Sequence, residues 1–168
     1  MKKILSVLSI LTLASVCLFA SFDGRSSVGI NYSYDDVNYF GLTTDSVGYS
    51  STSPIGYYIG TDADFKIGDI TFWTINMIAG PSYRYTFGES GVTFEVALGL
   101  SANGNSASLF SFGLGSYTGV SYNINENLDL LMGVKMGSNF VNIPLNNPSV
   151  TLDGDFYVTP NFALGVKY

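Results

Sequence analysis

From about residue 26 onward, apolar and small polar residues alternate every second position, interrupted by clusters of Gly, Asn, Asp and Ser. A period of two belongs to a β-strand with two unlike faces, and little of the chain follows a helical period of 3.6. Residues 92–102 are the clearest case, with Val92, Phe94, Val96, Leu98 and Leu100 on one face and Thr93, Glu95, Ala97, Gly99 and Ser101 on the other. Residues 128–137 and 156–168 repeat the pattern. It predicts strands over 26–35, 54–65, 69–76, 78–87, 92–102, 109–123, 128–139 and 156–168, eight in all. No turn residue separates the third from the fourth, so their join is placed near Asn76. The connections then alternate, long over 36–53 and 140–155 and tight at 88–91 and around Asn125.

Register follows from the tight turns. About the Glu89-Ser90 turn, Tyr85 is expected opposite Phe94 and Tyr83 opposite Val96, with Arg84 across from Glu95 on the other face. About Asn125, matching the faces sets Leu130 against Val120 and Tyr117 against Gly133, an aromatic over a strand glycine.

Alternation leaves open whether the oily face is a core or an exterior. The second face decides it. A sheet facing water would carry Lys, Glu, Arg and Thr there, whereas this one carries Gly, Ser, Asn, Thr and Tyr with isolated charges, which suit a crowded hydrated lumen. Aromatics gather near the predicted strand ends: Phe65, Phe87, Tyr122 and Tyr168 towards the turns, Tyr34, Phe110, Phe140 and Phe156 towards the loops. Two such girdles anchor a protein at both membrane interfaces. Backbone groups in lipid are satisfied only in a closed sheet, so the expected fold is all-β, an eight-stranded antiparallel up-and-down transmembrane β-barrel.

Composition and charge narrow the function. The 168 residues are only 12% charged, and there is no His. Ser-His-Asp and Cys-His catalysis and His-ligated zinc are therefore excluded, since each needs an imidazole. Residues 1–20 read as a signal peptide, with Lys2 and Lys3 ahead of an apolar run too short to span a bilayer as a helix, leaving 21–168 as the barrel domain. Removing those 2 lysines from 7 leaves 5 cations against 13 acids, a net charge of −8, which rules out nucleic acid as a partner. Cys17, the only cysteine, lies in the leader; Val16 before it is bulkier than a lipoprotein signal carries, so lipidation is disfavoured.

The last strand, Phe162-Ala-Leu-Gly-Val-Lys-Tyr168, ends on an aromatic with apolar residues at alternate positions. Phe162, Leu164, Val166 and Tyr168 resemble the C-terminal signal read by the outer-membrane assembly machinery. With the leader and the Gly-Pro-Ser-Tyr-Arg-Tyr stretch at 80–85, the chain resembles small eight-stranded outer-membrane barrels of the OmpA-domain, OmpX or OmpW type. The resemblance implies export to the outer membrane of a diderm bacterium, assembly by that machinery, and a non-enzymatic role without cofactor. Enzymes of this architecture rely on a His that this chain lacks.

Arg84, Glu95, Asp129, Lys135 and Lys167 are expected to face the lumen, joined by Asp62 and Asp64 if the second strand keeps its register. They form either a polar pore or proton-sensitive gate, or a salt-bridged plug, and an eight-stranded interior just wide enough for side chains favours the plug. Asp35-Asp36 and Asp153-Gly154-Asp155 offer oxygens to Ca²⁺, but neither run has the spacing of a known calcium loop, so no metal site is assigned. The 36–53 loop, with Tyr39, Phe40, Leu42, Val47 and Tyr49, is a candidate contact surface for a host or envelope ligand. The expected function is thus a structural or surface-interaction role, in envelope integrity or adhesion. The alternatives are a narrow channel for small solutes and a soluble periplasmic barrel binding lipid in an oily interior.

Overall fold

A computed structural model describes residues 23–168, apart from Asp36 and 147–148 and the side chains of 34, 35, 37 and 70. The leader predicted over 1–20, with Cys17, lies outside the described residues. The strands are β1 (Asp23–Asp35), β2 (Val37–Tyr49), β3 (Ile55–Lys66), β4 (Asp69–Thr86), β5 (Val92–Asn105), β6 (Leu109–Asn125), β7 (Leu128–Pro144) and β8 (Thr151–Lys167). Each pairs antiparallel with its neighbour in sequence, and β1 pairs with β8 to close the ring. A strand of 13 residues such as β1, rising about 3.3 Å per residue and tilted about 45°, covers about 30 Å, the thickness of a bilayer's hydrocarbon.

The expected count of eight is met, through two segmentation errors that cancel. Residues 69–76 and 78–87 are a single strand, β4, and the predicted loop 36–53 contains β2. That segment hid because its amphipathicity inverts along its length. Phe40 and Leu42 point outward in the usual way, but lower down Val47 and Tyr49 are buried inside while the outward positions hold the small polar Thr44 and Ser46, themselves buried beneath their neighbours. Inserting β2 reverses the direction of the next strand, so Phe65 belongs to the girdle at the end opposite Tyr168, not beside it. The predicted loop 140–155 also shrinks, since β7 runs to Pro144 and β8 starts at Thr151.

The expected register at the first tight turn holds, with Tyr85↔Phe94, Arg84↔Glu95 and Tyr83↔Val96. The second is slipped by two residues: Tyr122 lies opposite Leu130 and Tyr117 opposite Lys135. An irregularity between Asn123 and Asn125, ahead of a two-residue turn at 126–127, absorbs the slip. A shift of two preserves every inside-outside assignment.

The outer surface is apolar, with Leu98 70% and Leu100 72% exposed, and the buried residues are mostly polar or charged. This is the inverse of a soluble barrel with an oily interior, so the periplasmic lipid-binding alternative fails on geometry. Among the described residues no helix is long and apolar enough to cross a membrane; crossing is by strands. In the closing seam the β1–β8 pairing runs from Arg25↔Lys167 to Asn31↔Asn161 and then skips to Tyr34↔Val158 around Pro160, which has no N–H to donate. Above Val158, β8 continues to Thr151 without a β1 partner.

Leu98 sits mid-strand on the lipid-facing side, so Leu98→Arg is expected to destabilise the folded barrel by about 2–4 kcal/mol in bilayers. Urea titration of vesicle-refolded protein reads this; an unchanged midpoint would contradict the assignment of the outer face.

Candidate functional site

The lumen is the candidate site, and it is built from the inward positions of all the strands. Near its centre, Lys135 on β7 is 1% exposed. Its Nζ lies 2.7 Å from Asp45 Oδ1 on β2 and 2.7 Å from Asp62 Oδ1 on β3, and donates at 2.7 Å to Thr43 Oγ1. The Tyr58 hydroxyl donates to the same Asp45 oxygen at 2.7 Å. The Tyr58 and Tyr117 rings stack with centroids 4.7 Å apart, 10° from parallel. One ammonium thus ties opposite walls together beside a two-ring aromatic lid.

A second cluster lies closer to the end that carries Asp23 and Tyr168. Arg25 on β1 donates to Glu95 on β5 at 2.5 Å and lies 3.7 Å from Asp129 on β7. Lys167 on β8 reaches Asp129 at 3.2 Å. At the mouth, Arg84 pairs with Asp23 at 2.6 Å and rests 4.3 Å above the Tyr49 ring. All of the expected lumen residues Arg84, Glu95, Asp129, Lys135 and Lys167 therefore face inward, as do Asp62 and Asp64. Their partners differ from expectation. Arg84 and Glu95 are register neighbours but do not bridge, because Arg25 takes Glu95 and Arg84 turns to the rim.

Two central residues escaped the sequence reading. Arg25 fell one residue before the predicted first strand, and Asp45 lay in the segment read as a loop. The signal that finds both is charge accounting: Glu95 and Lys135 are inward charges on apolar-faced strands, and each demands an opposite charge from the far wall.

The glycines on the inner face create room for the plug instead of leaving a water path. A Cβ at Gly119 would sit 2.1 Å from the Tyr117 hydroxyl, and one at Gly133 would be 2.5 Å from Tyr117 Cε2. The expected aromatic-over-glycine contact exists, reached diagonally because of the register slip. Gly137 is covered in the same way by Tyr157, Gly56 by Tyr49 and Gly165 by Arg25. What remains open is a cavity of about 190 Å³ at the terminal end, lined by Arg25, Arg84, Glu95, Asp129 and Lys167 among others, and one of about 130 Å³ at the far end, lined by Ser33, Asn76, Asn103, Asn139, Asp155 and Tyr157 among others. The Lys135 cluster and the tyrosines stand between them.

No family model matches the chain, and no curated protein matches it in sequence. Solved structures do match in shape. Neisserial surface protein A superposes with a TM-score of 0.62 at 18% identity, over 88% of this chain and 97% of that one. The fold is that of the small eight-stranded outer-membrane β-barrels. The attachment invasion locus protein Ail of Yersinia pestis matches with a TM-score of 0.55 at 15% identity, over 88% and 99% of the two chains. The N-terminal barrel domain of Pseudomonas aeruginosa OprF gives 0.52 at 11%, over 88% and 98%. At these identities the likeness is one of fold.

The surface loops expected of the barrel are not found. At the far end the strands are joined across residue 36, 67–68, 106–108 and 145–150, none longer than the longest turn-side connections, 50–54 and 87–91, by more than a residue. The 36–53 contact loop is withdrawn: Tyr39, Val47 and Tyr49 are buried lumen residues, and Phe40 and Leu42 face outward from β2. Asp153 and Asp155 lie within β8, and the Asp35-Asp36 pair falls outside the described side chains.

Removing Lys135 strands two buried carboxylates, so Lys135→Met is expected to cost about 3–5 kcal/mol of unfolding free energy. The triple variant Lys135→Met/Asp45→Asn/Asp62→Asn should recover most of that loss. If the triple variant unfolds as easily as the single one in urea, the cluster is not acting as a charge-compensated unit.

Proposed function

We propose that this barrel is a non-enzymatic, non-conducting outer-membrane protein whose role is structural or one of surface contact. The observation that carries the reading is the closed lumen, in which Lys135 bridges Asp45 and Asp62 from the opposite wall beside the stacked Tyr58 and Tyr117. The terminal end faces the periplasm, and Phe162, Leu164, Val166 and Tyr168, which point outward at the end of β8, serve as the signal for the assembly machinery. The lipid-facing belt takes outer-membrane lipid as its solvent.

Contact with a host or envelope ligand falls to the far rim, since long loops are lacking. One solved form of Ail is a complex with the heparin analogue sucrose octasulfate. A sulfated ligand of that kind does not suit this rim, where Asp69, Asp153 and Asp155 outnumber Lys66. The rim instead exposes Leu145, Val150 and Leu152 beside acids, which fits a neutral or cationic partner. A narrow channel is the second reading. It is favoured only by the two polar cavities at opposite ends of the plug.

Planar-bilayer recording separates the two. Refolded wild type, with folding verified by heat-modifiable migration, should be electrically silent, whereas Tyr58→Ala/Tyr117→Ala should raise conductance by joining the two cavities. Reproducible wild-type openings that change in Lys135→Met would replace this reading with the channel. In the cell, loss of the protein should increase sensitivity to detergent and bile salts if the role is structural.

A further inference from the structure

The charges of the central lumen do not balance. Asp45, Asp62 and Asp64 are each 1–3% exposed, and the cation that reaches this layer is Lys135, which binds Asp45 and Asp62. Three carboxylates against one ammonium leave a charge of −2. Asp64 is not within ion-pairing distance of any basic side chain among the described residues; its oxygens accept only from two amides, Asn31 Nδ2 at 2.8 Å and Asn76 Nδ2 at 3.2 Å. A carboxylate held in a low-dielectric interior by neutral donors alone is costly unless a proton or a counter-charge joins it.

The surroundings of Asp64 are rich in oxygen. Asn31, Gly41 and Asp64 form one register row across β1, β2 and β3, and Asn161 on β8 extends it as the partner of Asn31. Gly41 opens a cradle in this row: a Cβ there would lie 2.4 Å from Asp64 Oδ1 and 2.7 Å from Asn31 Oδ1, so both oxygens converge over its α-carbon. Asn31 is 3% exposed, and its Oδ1 accepts no hydrogen bond; Asn161 is 8% exposed, with both amide atoms unpartnered. Asn76, which donates to Asp64, also lines the far-end cavity, whose lining holds Asp155 and neither Lys nor Arg. Asn76, which also accepts from Asn103, can turn its amide and offer Oδ1 inward in place of Nδ2.

We infer that Asp64 and Asn31, whose oxygens meet over Gly41, together with Asn161 beside Asn31, form a divalent-cation site of the calcium type, separated from the far-end cavity by Asn76. Hard cations of this class take carboxylate, amide and water oxygens, six to eight in number. The side chains supply a minority of these, and water entering past Asn76 completes the shell. The charge of −2 on the Asp45, Asp62, Asp64 and Lys135 layer equals what one such ion neutralises. The acidic far rim raises the local concentration of cations at the entrance. This site is separate from the Asp35-Asp36 and Asp153-Gly154-Asp155 runs, and it does not depend on whether the barrel conducts.

The test is calorimetric titration of CaCl₂ into chelator-stripped, detergent-refolded protein, with thermal unfolding followed alongside. Wild type should bind one equivalent with a Kd of about 1 mM or tighter and unfold at a higher temperature when calcium is present. Asp64→Asn, which keeps the shape and removes the charge, should lose saturable binding and the thermal shift. Asn31→Leu, which removes the unpartnered amide oxygen without altering any charge, should weaken binding about tenfold or more. Asp153→Asn/Asp155→Asn should bind as wild type does. An absence of saturable binding in wild type overturns the inference whether or not the variants fold. So does binding that survives Asp64→Asn, or binding that disappears only with the rim aspartates.

Discussion

The constraint on which everything else rests is that every backbone N–H and C=O crossing the hydrocarbon must find a partner within the protein. An open sheet would leave two unpaired edges in lipid at several kcal/mol per group, so the β1–β8 pairing is the condition for the chain to exist there at all. Closure with eight strands sets the interior width, which holds side chains and little else. Once the ring is closed, the two faces have no choice of solvent. The outer face must be apolar, and the inner one must be filled by whatever the residues between the apolar positions can supply.

What they supply is an arrangement of large polar side chains over glycine. Tyrosine is well suited to this, because its ring fills volume while its hydroxyl satisfies a charge, as Tyr58 does for Asp45. The glycines beneath Tyr117 and Tyr157 are the other half of the same device. A Cβ at those positions would push the rings into the ion cluster. The long cations work across the diameter, Arg25 towards Glu95 and Lys135 towards Asp45 and Asp62, so that the walls are cross-braced at two levels. Each brace survives burial only because both of its partners are present.

Much of this was legible in the sequence, and the failures have physical causes. Strands whose outer face is uniformly apolar, such as β5 and β7, were readable residue by residue, because lipid imposes a single requirement on that face. β2 was not, because near its lower end it carries Val47 and Tyr49 into the plug and has the small polar Thr44 and Ser46 at the outward positions, which cancels the alternation. β4 was divided because Asn76, an inward residue bonded to Asp64, resembles a turn residue when met alone. Lumen charges could be assigned to a face but not paired. Pairing across a barrel depends on which walls oppose one another, and a missing strand rotates that relation. With Arg25 left just outside the predicted first strand and Asp45 inside a predicted loop, the cross-bracing pattern could not be read either.

The interrupted seam beside Pro160 sets the order in which such a structure comes apart. Every other joint is a hairpin, its strands tethered by a short turn; β1 and β8 are joined by no turn, only by their ladder and the side-chain bonds across it. That ladder skips its rungs around Pro160, which has no N–H, as the β4–β5 ladder does around Pro81, and among the described residues it has no rung beyond Val158. Heat or detergent therefore has a fault line to follow. The sheet should unzip from the far end of this joint and unroll as a single curved ribbon, with its hairpins intact until late, and the slowest event in its assembly should be the meeting of the first strand with the last.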